Sequence, residues 1–189
     1  FEPVPRMQDP ATASGSVRSA VGPLVDAFGR VHDYVRIAVN ERCNLRCIYC
    51  MPAAGLAFQE GEALLSSDEI VRVVAVLAGL GVSKVRFTGG EPLLRRDLPD
   101  LIRRVSGTPG IESVHVTTNG ILLEDQAAAL RAAGLHGVNV SLDTLDAARF
   151  LRITRRAGVE KVRDSIRTAL RVGFDSVKVN VVALRGFND

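Results

Sequence analysis

The sequence predicts an α/β fold in which a parallel sheet curls into part of a barrel, with helices on its outer side only. Three observations predict it. Five β-rich stretches alternate with stretches of helical periodicity, the pattern of right-handed βαβ units. Within those strands, residues two apart are apolar on one side and polar or basic on the other. The polar side carries Arg36, Lys84, Arg86 and Lys178, so it faces a wet, cationic lumen rather than a second layer of helices. A doubly wound sheet would read as continuous apolar runs, and an ordinary (βα)8 barrel would fill its interior with branched aliphatics. A sheet with one face in solvent is the plainer alternative.

Taken in order, residues 1–23 hold Pro, Ser, Gly and Ala without a long apolar run, and read as a flexible leader rather than a secretory signal or membrane span. The first residue is not Met, which suggests a chain cut from something longer. Residues 24–189 are expected to form the barrel domain. The first strand spans residues 34–40 and runs straight into a cysteine-bearing loop. Ser66 and Glu69 have the spacing of a capping box, and Ile70, Val73, Val74, Leu77 and Leu80 follow at helical intervals until Gly81. A second strand covers 84–88, and a helix from about 97 carries Leu98, Leu101, Ile102 and Val105 to Gly107. The third strand is 113–117, turned by Thr118-Asn119-Gly120 into an alanine-rich helix from about 124 to near 134. A fourth strand at 137–142, helices at about 146–153 and 159–172, and a fifth strand at 176–183 complete the chain.

The side of the sheet that should meet the helices holds Val35, Ile37, Val39, Val85, Phe87, Val114, Val116, Val138, Val140, Leu142, Val177, Val179 and Val181. The opposite side holds the four basic residues with His115, Thr117, Asn139, Ser141 and Asn180 among them. Cations converging in a lumen repel one another unless an anion joins them, so a polyphosphate is the expected ligand. With 189 residues, 47% of them hydrophobic, the chain can bury a sizeable core, and a net charge of +3 does not call for nucleic acid or a membrane as partner.

All three cysteines, Cys43, Cys47 and Cys50, fall within eight residues. A structural zinc usually takes four protein donors, and His32, His115 and His136 stand in no zinc-knuckle spacing with the triad. Three thiolates on a [4Fe-4S] cube would leave one iron open; zinc completed by a fourth ligand from elsewhere is the alternative. An oxygen-sensitive cluster and the lack of any cysteine left for a disulfide point to the cytoplasm. After the second strand, Gly89-Gly90-Glu91-Pro92 removes side chains where a ligand could approach and then presents one carboxylate. Asp143 sits beside Ser141 and could orient the site or cap the following helix. The pairs Arg95-Arg96 and Arg155-Arg156 read as solvated charge, and His136 as a surface residue.

The cysteine spacing, with Tyr49 ahead of the last cysteine, resembles the signature of the radical S-adenosylmethionine (SAM) enzymes, and Gly89-Gly90-Glu91-Pro92 resembles the element with which they bind the methionyl amino group. The stretches 36–52, 85–97, 117–120, 139–143 and 178–182 together resemble the GTP 3′,8-cyclase family of molybdenum cofactor biosynthesis. Ala38, Asn40 and Glu41 stand where that family often has Ser, Thr and Asp. The resemblance implies a partial (βα)6 TIM-like barrel, truncated after the fifth strand. It implies that Cys43, Cys47 and Cys50 ligate the cluster, that Tyr49, Gly90 and Ser141 contact SAM, and that Arg36, Arg86, Thr117 and Lys178 contact GTP, with Lys84 a helper. It further implies an external one-electron donor, a 5′-deoxyadenosyl radical that takes hydrogen from C3′ of GTP, closure of C3′ onto C8, and cyclic pyranopterin synthase downstream; a homodimer is compatible with it. A second three-cysteine cluster is expected only in a longer protein, so this chain alone is expected to bind a cluster and cleave SAM without making the cyclic nucleotide. Two rivals share parts of the pattern: a peptide-modifying radical SAM maturase, and a non-catalytic iron-sulfur or zinc-binding protein.

Overall fold

The structure is a computed structural model that describes residues 22–52, 54 and 64–188. Apart from Gly22 and Pro23, the leader expected at residues 1–23 lies outside the described residues. Five parallel strands, β1 (Tyr34–Ala38), β2 (Lys84–Thr88), β3 (Ser113–Thr118), β4 (Gly137–Ser141) and β5 (Ser176–Asn180), lie in the sheet in chain order. Five helices, α1 (Ser67–Gly79), α2 (Leu98–Ser106), α3 (Leu123–Ala132), α4 (Ala147–Thr154) and α5 (Val159–Val172), make the crossovers. Sequential order with parallel pairing is what one-way βαβ winding produces, and it matches the incomplete barrel read from the alternation. No helix among the described residues is long and apolar enough to cross a membrane.

The helix-facing side of the inner strands is fully buried: Val85, Phe87, Val114, Val116, Val138 and Val140 join Leu101, Ile102, Leu130 and Val162 in one core. Ser66 caps α1 as the spacing predicts, its side chain accepting from the Glu69 amide while Glu69 reaches back to the Ser66 amide; such a cap contributes about 1 kcal/mol. Ile70 and Val74 are the buried residues of α1, and Val73, expected on the same stripe, is exposed.

Three strands stop short of their expected ends, β4 by a single residue at Ser141. Past Ala38 the pairing of β1 with β2 gives way to single bonds from the Val39 amide to the Thr88 carbonyl and from the Gly90 amide to the Asn40 carbonyl. β5 ends at Asn180 because its ladder partner Ser141 is the last residue of β4. Val179 and Val181, expected against helices, are 47% and 59% exposed. The crossover helix α5 packs chiefly on α3, and among the described residues no helix follows β5 to cover them.

Candidate functional site

Register determines what the lumen holds. One rung crosses all five strands as Arg36, Arg86, His115, Gly137 and Ser176. The next rung toward the carboxyl ends pairs Thr117, Asn139 and Lys178, and Ser141 lies beside Asn180 above it. Tyr34 starts β1 on the same side, and its hydroxyl oxygen accepts from Arg86 Nε at 2.7 Å and from Arg36 Nε at 2.9 Å. Both guanidinium groups also lie over its ring, 5.7 and 5.9 Å from the centroid. Arg86 Nη1 donates to the Thr117 hydroxyl at 3.4 Å. Among the described residues none of Arg36, Arg86 and Lys178 forms an ion pair. Lys84 does, with Asp33 at 3.1 Å.

Above the rungs, a cavity of about 230 Å³ opens at the carboxyl ends of β1 to β4. Cys43, Cys47 and Cys50 line it with Tyr49, Gly90 and Ser141, and Thr117 joins it to the lumen. The structure thus gathers the three cysteines and the three residues expected at SAM in one pocket, and places Arg36, Arg86 and Lys178 on the strands beneath. The cysteines form no disulfide. Burial pushes the Cys47 thiol up to about 11 and raises that of Cys43, so an incoming metal must displace protons from both. Three soft sulfur donors suit an iron-sulfur cluster or zinc, and among the described residues no three His, Cys, Asp or Glu side chains are placed around a single ion. The donor set and the adjoining cavity fit a cluster with one open iron.

The cysteine loop is held from several directions. Its Arg46 and Ile48 amides donate to the carbonyls of Thr154 and Ile153, at the end of α4. Arg155 follows in the left-handed conformation (φ 55°), and its guanidinium donates to the carbonyls of Arg46 and Met51, both at 2.9 Å. Arg155 is therefore a clamp on the loop, not solvated charge. Arg95 is a clamp too: its side chain is 12% exposed, paired with Asp97, and donates to the carbonyls of Val39 and Leu65. Arg96 and Arg156 are exposed, as expected. His136 is no plain surface residue, because its Nδ1 accepts from the Val114 amide at 3.1 Å.

Glu91 also departs from expectation. Its carboxylate is not presented to the pocket: the residue is 1% exposed, and its oxygens accept from the Leu93 amide, the Thr118 hydroxyl and the Asn119 amide at 2.7 to 3.0 Å. Burial raises its pKa while those three donors oppose the rise. The adjacent glycines have a matching structural reason. A Cβ on Gly90 would collide with the carbonyl oxygens of Glu41 and Arg42, and one on Gly89 with that of Asn40. Absent side chains let the cysteine loop lie directly on the end of β2, where the Glu91 amide donates to the Arg42 carbonyl at 2.7 Å. Gly90 still lines the cavity.

Asp143 belongs to the site, since Asp146 caps α4 by accepting from the Arg149 amide. The Tyr49 hydroxyl donates to Asp143 Oδ2 at 2.6 Å, and Oδ1 accepts from the Val182 amide. Burial first, then the bond to Asp143, pushes the Tyr49 phenol far above its ordinary range. The Tyr49 hydroxyl is thus engaged, leaving its ring and backbone to face a ligand. Asn119, not singled out in the sequence, donates from its amide nitrogen to Asn44 at 2.7 Å and toward Cys43 Sγ at 3.7 Å. The stretch 117–120 that holds it reads as a turn and as part of the family resemblance, with no role given to Asn119 itself.

Residues 37–189 match the family described as the Radical SAM superfamily. GTP 3′,8-cyclase of Listeria welshimeri is 51% identical over 166 residues, 88% of this chain and 50% of the relative. The mitochondrial GTP 3′,8-cyclase of Arabidopsis thaliana is 46% identical over 88% of this chain and 43% of its own length. The chain thus spans about half the length of the curated relatives it matches. Among solved structures, HydG, a maturase of the [FeFe]-hydrogenase, superposes with a TM-score of 0.65 over 79% of this chain and 34% of its own, at 17% identity, a likeness of fold.

Proposed function

The chain belongs to the radical SAM superfamily, which brings with it a [4Fe-4S] cluster and SAM, and from that premise we propose that it carries the GTP-binding and SAM-binding barrel of a GTP 3′,8-cyclase. The observation that supports this substrate is the lumen: Arg36, Arg86 and Lys178 lie below the cysteine pocket with no carboxylate to neutralise them among the described residues. A peptide substrate has little use for such an array, whereas a triphosphate satisfies it, and charge-assisted bonds of this type contribute about 1.5 to 3 kcal/mol each.

Cys43, Cys47 and Cys50 would hold the cluster. When bound, it supplies one electron to the SAM sulfonium and so starts hydrogen abstraction. The chain's own residues position the reactants. Gly90 and Ser141, with the ring of Tyr49, line the SAM side of the cavity, and Thr117 bridges it to the phosphate-binding rungs. Tyr34 ties Arg36 to Arg86, so the two arginines are already oriented before substrate arrives. Fixing the phosphates fixes where C3′ of the ribose stands relative to SAM, which is the main contribution a protein makes to such a transfer. The electron comes from an external donor, and the cyclised product passes to cyclic pyranopterin synthase.

Anaerobic reconstitution with iron and sulfide, followed by dithionite and SAM, tests this reading. The expected result is a reducible iron-sulfur signal, 5′-deoxyadenosine, and GTP binding that R36A and R86A each weaken. Bound zinc with no SAM cleavage would favour a non-catalytic metal protein; SAM cleavage without GTP binding would favour another radical SAM enzyme.

A further inference from the structure

On the lower rung, His115 stands between a cation and a glycine. Arg86 lies beside it on β2 and Gly137 on β4. A Cβ on Gly137 would come within 2.8 Å of His115 Nδ1, so glycine at that position is what gives the imidazole its room. The ring is half-buried and forms no hydrogen bond among the described residues. Its neighbour His136, with ring centroids 6.5 Å apart, spends its own Nδ1 on the Val114 amide. An imidazole in the same rung as Arg36 and Arg86, with both nitrogens unengaged, is a hydrogen-bonding group waiting for a partner.

We propose that His115 is a further anion-binding residue of the lumen, taking up a proton as the phosphate chain of the substrate enters and donating to it alongside Arg36, Arg86 and Lys178. The inference rests on the polyphosphate reading of the site and adds a residue that the resemblance did not assign. The titratable and charged groups facing the ring are Arg86 from β2, His136 ahead of β4, Lys178 from β5 and Asp175 ahead of β5. Burial holds the free imidazole below its ordinary pKa of 6.5, and Arg86, His136 and Lys178 lower it further, while Asp175 opposes them. Asp175 is itself paired with Arg131 at 3.1 Å. A polyphosphate reverses the balance, because its negative charge favours the protonated ring. The sign follows: the bound pKa lies above the free one, so affinity rises as pH falls from the bound value to the free value, by up to about tenfold per unit.

The test is calorimetric titration of the chain with GTP, and with inorganic tripolyphosphate as a probe of the phosphate part alone, between pH 6 and 8 in buffers of different ionisation enthalpy. Wild type is expected to take up protons on binding and to tighten at low pH relative to H115Q, which binds about tenfold more weakly at the acidic end. Titration of the ligand's own phosphate is common to both proteins and cancels in that comparison. H115K, permanently charged, is expected to restore tight binding without the pH-dependence, and it answers for H115Q if that variant folds poorly. Binding that R36A weakens but H115Q leaves unchanged in strength and pH-dependence would overturn the role of His115 alone. Failure of wild type to bind either ligand would overturn the polyphosphate reading with it.

Discussion

Glu91 shows how a residue with a recognisable pattern can act one layer away from where the pattern points. A carboxylate buried to 1% exposure with three donors around it braces the loop between β3 and α3 against the end of β2. Glu91→Gln replaces one acceptor with an amide that faces the Asn119 N–H, and a buried donor left unsatisfied costs about 2 kcal/mol. Urea denaturation should show a loss of that size, and an unshifted midpoint would mean that the carboxylate is not a brace. Arg36, Arg86 and Lys178 were legible one by one, because alternation alone turns them inward; Lys84 shares their parity, but its pairing with Asp33 was not legible. Tyr34 was not: at the start of a strand a tyrosine reads as β-propensity, although it shares the parity of Arg36, and only the register shows it between two guanidinium groups. Arg155 was misread for a related reason, since a charged residue after a helix is usually solvated and nothing in the sequence shows which carbonyls stand in front of it.

At the scale of elements, every strand and α-helix was legible, and the losses were at ends and at the short 3-10 helix Pro92–Leu94. Strand ends are set by the partner's length, as β5 stopping opposite Ser141 shows, and a single sequence carries no direct sign of that. Helix ends were clearer, because caps are local; Ser66 with Glu69 is one such signal. The cysteine loop is held by several bonds from outside it, and Arg155 tests whether those supports matter. Arg155→Gly keeps the left-handed backbone without strain but removes the guanidinium from the Arg46 and Met51 carbonyls; Arg155→Ala loses the clamp and keeps a strain of about 1 kcal/mol. Both variants should hold less iron after reconstitution while keeping native far-ultraviolet circular dichroism, and Arg155→Ala should melt lower than Arg155→Gly. Full iron content in both would show that the bonds to Ile153 and Thr154 hold the loop unaided.

Across the whole molecule, the sheet works as a graded surface. Arg36 and Arg86 lie low in the lumen, Thr117, Asn139 and Lys178 share the rung above them, Ser141 lies higher still, and the sulfurs close the carboxyl end. That gradient was readable from two periodicities and one cysteine spacing. The depth at which each residue sits was not, because depth depends on how neighbouring strands are staggered. On the proposed function, the gradient places a nucleotide with its phosphates down and its sugar toward the metal. The central claim is that C3′ of GTP then faces the atom that removes its hydrogen. The protein, given GTP deuterated at C3′, SAM and reductant, is expected to yield 5′-deoxyadenosine that contains the deuterium; unlabelled 5′-deoxyadenosine formed at the same rate with or without GTP would contradict the account.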